Sequence, residues 1–170
     1  MKNLIAYTML GLLLSGCVSL THQENNTLRS LRAQGITTEK PAGNWEKPAS
    51  AAGAGLLNLL PGGGNFYLAS GNGADNGQML YGFLNLLTWP ISVVWGIPQA
   101  AVDAGRINER ELIYYYTFDE GGKEALREQG YEVTASGRLE KIQNKVKRKR
   151  RAKTLRFFNP IRRGVAPDLP

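Results

Sequence analysis

The chain contains a single cysteine and a single histidine. That excludes an internal disulfide and any zinc site built from Cys and His alone. Charge is missing over long stretches: none occurs from residue 48 to 74 or from 76 to 102, and Asp75 alone separates these two runs of 27 residues. Acidic residues are almost absent from the C-terminal region, where Glu140 is the one carboxylate between residues 138 and 163. Long uninterrupted elements are disfavoured by twenty glycines and eight prolines. The 170 residues are 42% hydrophobic and 21% charged, with a net charge of +7. Such a composition folds, and the length allows one modest domain with tails.

Met1-Lys2 supplies one positive charge ahead of an apolar run from Leu4 to Leu14, which ends in Leu14-Ser15-Gly16-Cys17. A basic start, an apolar stretch of this length and small residues form a secretory signal (residues 1–16), too short to span a bilayer. The tetrad Leu14, Ser15, Gly16, Cys17 resembles the bacterial lipobox. The resemblance implies cleavage before Cys17, diacylglycerol in thioether linkage on its sulfur and acylation of the new amino group. The other reading is a free or buried thiol behind a plain signal. Acylation removes a thiol that an oxidising compartment would otherwise attack. Two or three chains anchor stably where one is marginal. Val18, rather than Asp, follows Cys17. By resemblance to enterobacterial sorting, this implies a lipid-anchored protein of the outer membrane facing the periplasm, with the inner membrane as the alternative.

Residues 17–50 read as a polar helix and a linker. Thr21 with Glu24 three residues later marks a helix start. Leu28 and Leu31 form a thin apolar stripe, Gly35 ends the helix, and Pro41, Gly43 and Pro48 suit a linker. Two apolar segments around the Gly-rich turn of residues 70–77 then read as a helical hairpin. Pro61-Gly62-Gly63-Gly64 breaks its first segment. The second, Met79–Val102, is long enough to cross a core of ~30 Å at ~1.5 Å per residue, with kinks expected at Pro90 and Pro98. Ala101–Thr117 reads as an exposed amphipathic helix broken by Gly121-Gly122. A short helix over Lys123–Gln129 follows, then a strand at Tyr131–Thr134 and a turn at Ala135–Gly137.

Charge is segregated along the chain. Residues 17–137 carry 8 basic and 12 acidic groups, whereas residues 138–163 carry 12 basic groups and one acid. The basic arm, with Lys145, Lys147, Arg148, Lys149, Arg150 and Arg151 at its centre, points to anionic lipid or a phosphate-bearing envelope polymer. A solvated idle arm is the plain alternative, and an exported lipoprotein disfavours nucleic acid as a partner. Leu155, Phe157, Phe158 and Ile161 beside the charges suit an interfacial patch.

Gly64-Asn65-Phe66-Tyr67-Leu68-Ala69, the Gly-rich turn, Trp89, Trp95 and Asp103 together resemble the TM2 domain over about 55 residues. That family is a two-helix membrane hairpin with a Gly-x-x-Arg-Phe-Tyr-Leu-Gly motif at its first turn. Here Asn65 stands for the Arg and Ala69 for the last Gly. The resemblance implies a membrane-associated hairpin, and Phe66, Tyr67, Tyr81, Trp89 and Trp95 are residue types that suit a bilayer boundary. A two-pass hairpin would keep the arm on the side of Cys17. A single pass would put it in the cytoplasm, as the positive-inside rule favours.

Catalytic candidates are few. His22 lacks a partner nearby in sequence, Gly62-Gly63-Gly64 is not followed by Gly-Lys-Ser/Thr, and Glu109, Glu111, Asp119 and Glu120 read as solvated charges. Asp75 reads as a wet turn and Asp103 as a boundary marker. The expected protein is mainly α, with no catalytic residue, metal or cofactor. Its expected parts are a signal peptide (1–16), a polar helix and linker (17–50), a TM2-like apolar hairpin (51–108), a small mixed segment (109–137) and a basic helical or disordered arm (138–170). A structural, assembly or scaffolding role in the envelope is the first functional reading. An accessory or subunit of a transport or pore complex, formed by hairpins joined in a homo-oligomer, is the alternative, since Gly-rich helix faces pack closely.

Overall fold

The computed structural model describes residues 18–71 and 76–142. The lipobox with Cys17, the turn residue Asp75, and Lys145, Lys147, Arg148, Lys149, Arg150 and Arg151 of the arm lie outside the described residues. Within them the protein is mainly helical, with a small two-stranded sheet. The helices are α1 (His22–Ala33), α2 (Ala51–Leu57), α3 (Gly63–Ser70), α4 (Asn76–Leu87), α5 (Val93–Phe118) and α6 (Glu120–Glu128). Strands β1 (Tyr131–Val133) and β2 (Leu139–Lys141) pair antiparallel, with Glu132 opposite Glu140.

Local chemistry sets these boundaries. At α1, Thr21 Oγ1 accepts from the Glu24 N–H at 3.3 Å and Glu24 Oε2 accepts from the Thr21 N–H at 2.6 Å. This reciprocal pair satisfies two N–H groups at the helix start. Ser50 caps α2 through the Gly53 N–H at 3.0 Å. The 24-residue run Met79–Val102 does not form one helix. Turns across residues 88–92, which include Pro90, divide it between α4 and the start of α5. Among the described residues no helix is long and apolar enough to cross a membrane. The break expected at Gly121-Gly122 falls earlier, at Asp119. Asp119 Oδ1 accepts from both glycine N–H groups at 2.9 and 3.2 Å, so the glycines form the first turn of α6 instead of ending a helix.

α5 is the spine. Its 26 residues run through two different environments. The C-terminal half packs on α1 and α6 around Leu28, Leu31, Ile36, Leu112, Tyr116 and Leu126, an ordinary apolar core. Residues 37–50 have no regular structure, yet α5 pins their backbone at two points. Tyr116 Oη donates to the Ala42 carbonyl at 2.8 Å and accepts from the Ala42 N–H at 2.6 Å. Asn108 takes the Ala49 N–H at 3.0 Å and gives Nδ2 to the Ala49 carbonyl at 2.8 Å. Each clamp replaces the partners that water would offer an unpaired backbone group.

Burial pushes the Tyr116 hydroxyl above its ordinary pKa, opposed in part by its hydrogen bond to Ala42 and reinforced by Tyr115. The neutral form is therefore the one the fold holds. The resulting stability is complete below pH ~10, where the unfolded tyrosine begins to ionise, and is lost as pH rises toward the higher folded value. Tyr116→Phe should cost about 1–3 kcal/mol at pH 7, because both Ala42 groups lose their partner. The gap from wild type should narrow above pH ~10. Thermal unfolding in detergent between pH 7 and 11 measures it, and a gap unchanged across that range would contradict the clamp.

Candidate functional site

The unit formed by α2, α3, α4 and the first part of α5 has its polarity reversed. Between residues 51 and 102, the described buried side chains larger than alanine are Asn58, Asn65, Gln78, Asn85, Ser92 and one apolar residue, Leu68. The large apolar side chains point outward instead. Leu56, Leu57, Leu59, Leu60, Met79, Leu80, Phe83, Leu86, Leu87, Trp89, Ile91, Val94 and Val102 are all exposed, with Leu87 at 80% and Val94 at 79%. Each large apolar side chain left in water forgoes on the order of 1.5–3 kcal/mol relative to burial. Exposed apolar side chains in this number mark an interaction face.

The interior is a directed chain of hydrogen bonds. Trp95 Nε1 donates to Asn85 Oδ1 at 3.3 Å. Asn85 Nδ2 donates to Asn65 Oδ1 at 2.8 Å, and Asn65 Nδ2 donates to Gln78 Oε1 at 2.7 Å. Gln78 Nε2 then donates to Asp103 Oδ2 at 2.9 Å. Every donor points the same way. An indole can only donate and a carboxylate can only accept, so the two ends dictate the orientation of all three amides between them. The second Asp103 oxygen accepts from the Val18 N–H at 3.1 Å. Ser92 Oγ donates to the Asn85 carbonyl at 2.7 Å, which ties the α4–α5 turn to the chain.

Backbone proximity makes room for these amides. Asn58 lies directly over Gly96 of α5, where any Cβ would collide with its amide nitrogen. Asn58 Oδ1 accepts from the Gly64 N–H at 3.2 Å. Gly62 precedes α3 with φ 76°, against the backbone of Gly82, so both the left-handed conformation and the close approach require glycine.

Several sequence candidates meet here. Gly64, Asn65 and Leu68 are buried. Phe66 packs edge-on against Phe83 with ring centroids 5.3 Å apart, and Tyr67 Oη accepts from the Ser50 N–H at 3.1 Å. Trp95 starts the relay, whereas Trp89 is 59% exposed in the α4–α5 turn. Asp103, read from sequence as a boundary marker, is fully buried and ends the relay. Gln78 and Asn85 escape a reading by hydropathy alone. Their signal is spacing: seven residues apart, they share one face of α4. Glu109 bridges Arg32 at 2.6 Å and Arg106 at 3.1 Å, and Glu120 pairs with Lys123 at 2.8 Å. His22 is exposed at the first position of α1. Among the described residues no three His, Cys, Asp or Glu side chains gather as a metal site.

Comparison with family models, curated proteins and solved structures gives no match to this chain. The reversed polarity therefore carries the functional argument.

Gln78→Leu should lower stability by about 3 kcal/mol, because it removes the donor to Asp103 and the acceptor for Asn65 in a buried setting. In an ordinary core, a buried amide replaced by leucine would be the milder change. Thermal unfolding of the variant in detergent reads the difference, and a melting point equal to wild type would refute the relay.

Proposed function

We propose that the chain is a lipid-anchored, membrane-associated protein of the bacterial envelope with a structural, assembly or scaffolding role. On this reading Cys17 bears the acyl chains, Val18 favours the outer membrane, and the basic arm meets anionic lipid or an envelope polymer. The finer architecture belongs to the same proposal: a TM2-like apolar hairpin with a broken first segment and a kinked second, followed by an amphipathic helix, a small mixed segment and the arm. The observation that carries it is the inverted unit. Relay amides paired inside and leucines facing out suit a hydrocarbon environment, where unpaired polar groups cost most and apolar surface costs nothing; Gln99 Nε2 is the one buried side-chain polar atom of this unit left without a partner among the described residues. The transport or pore alternative draws on an apolar groove of about 420 Å³ between α2 and α5, lined by Gly55, Ala101 and Ile97 among others. A helix of a second copy could seat there, and this reading requires a ring-shaped oligomer.

Fractionation of cells producing wild type and Cys17→Ala tests the proposal. Wild type should sediment with membranes and carry a diacylglyceryl mass on Cys17. The exported variant should also sediment with membranes, through the apolar face, and detergent should release it. A free thiol on the mature protein would overturn the anchor, and a freely soluble variant would overturn the membrane face. Replacing Lys147–Arg151 with neutral residues should weaken binding to anionic vesicles at low salt, by roughly 1 kcal/mol per charge removed. Unchanged binding would leave the arm without that role.

A further inference from the structure

Resting on the membrane reading just given, we infer that the inverted unit occupies a single leaflet and turns back, without reaching the far side of the bilayer. The course of the chain supplies the first reason. α2 starts beside Ala49, held by Asn108, and ends with Asn58 over Gly96. α3 returns, so that Tyr67 meets Ser50. α4 starts at the level of Asp103, through Gln78, and descends to Leu87. α5 climbs back from Val93 to Asp103 and continues into the ordinary core. Entry and exit therefore share one end, and the turn beyond α4 forms the other.

Depth is the second reason. From Val93 to Asp103 is ten residues, about 15 Å of helix at ~1.5 Å each. One leaflet of a hydrocarbon core ~30 Å thick is the same depth. The third reason is the distribution of charge. From Ala51 to Val102 the described residues carry none, and Arg106, one turn above Asp103, is exposed. The waterline thus falls between Val102 and Arg106. Val18, the residue after the expected acylated cysteine, is bonded to Asp103 at this level. Acyl chains attached there would enter the same leaflet as the helices. The occupant of the apolar face is lipid, since the exposed apolar side chains come from α2, α4, α5 and the turns after α2 and α4, and not from a single helix.

The test uses the full-length, lipidated protein reconstituted into vesicles with its soluble half outside. Leu87→Cys, Ile91→Cys and Tyr114→Cys are made separately, each residue being an exposed position. Nitroxide labels at 87 and 91 should report depths near the bilayer centre, and a label at 114 should report water. A membrane-impermeant maleimide should modify position 114 from outside and reach 87 or 91 from neither side. Modification of 87 by reagent trapped in the lumen would show a spanning hairpin, which overturns the single-leaflet inference while sparing membrane insertion. Modification of 87 from outside would show the face in water, which overturns the underlying membrane reading. Strong dipolar broadening between labels at 87 on two copies, with lipid excluded, would make a second copy the occupant and overturn the inference.

Discussion

The row of amides running from Trp95 to Asp103 is the constraint on which the inverted unit depends. Three short helices and the start of α5 cannot bury asparagine and glutamine cheaply unless each donor finds an acceptor. A donor-only indole at one end and an acceptor-only carboxylate at the other fix the amide orientations, and the chain then closes without a mismatch. With the relay amides paired inside, the leucines are left to face outward. Hydrogen bonding therefore does the organising in this half, where apolar contact would usually do it.

The other half follows the usual rule, and a single helix serves both. α5 presents Gly96 toward the amides, Ala100, Ala104 and Ile107 toward a small apolar cluster with Ala54 and Leu68, and Leu112 and Tyr116 toward the core shared with α1 and α6. Asp103 and Asn108 stand where the two regimes meet. Each also holds the backbone of a segment lacking regular structure, Val18 in one case and Ala49 in the other. Residues 37–50, which form no ladder of their own, are held to their path by Asn108 together with Tyr116.

Some of this is legible in the sequence. The Thr21–Glu24 start and the Gly35 stop of α1 follow from local chemistry, because capping depends on neighbours within three residues. The strand at Tyr131–Val133 and the turn after it follow from the same kind of local signal. The two charge-free runs single out residues 51–102 as the unusual region. Hydropathy counts that region as uniformly apolar, however, and so hides the face on which Asn58, Asn65, Gln78 and Asn85 turn inward. It also joins Met79 to Val102 in one span, whereas the chain turns at residues 88–92. The burial of Asp103 depends on Gln78, 25 residues away, and on Val18, 85 away, so no local window holds it.

The bond between Val18 and Asp103 has a further consequence for how far the protein can act. Leu20 already packs against the apolar core and Thr21 already caps α1. On the proposed attachment at Cys17, the fixed residues from Val18 to Thr21 leave the anchor no slack. Many anchored proteins hang on a long flexible leash that lets them sweep a volume of periplasm. This one would be seated like a rivet, its reach no greater than its own radius, and any partner would have to come to the sheet of lipid to meet it.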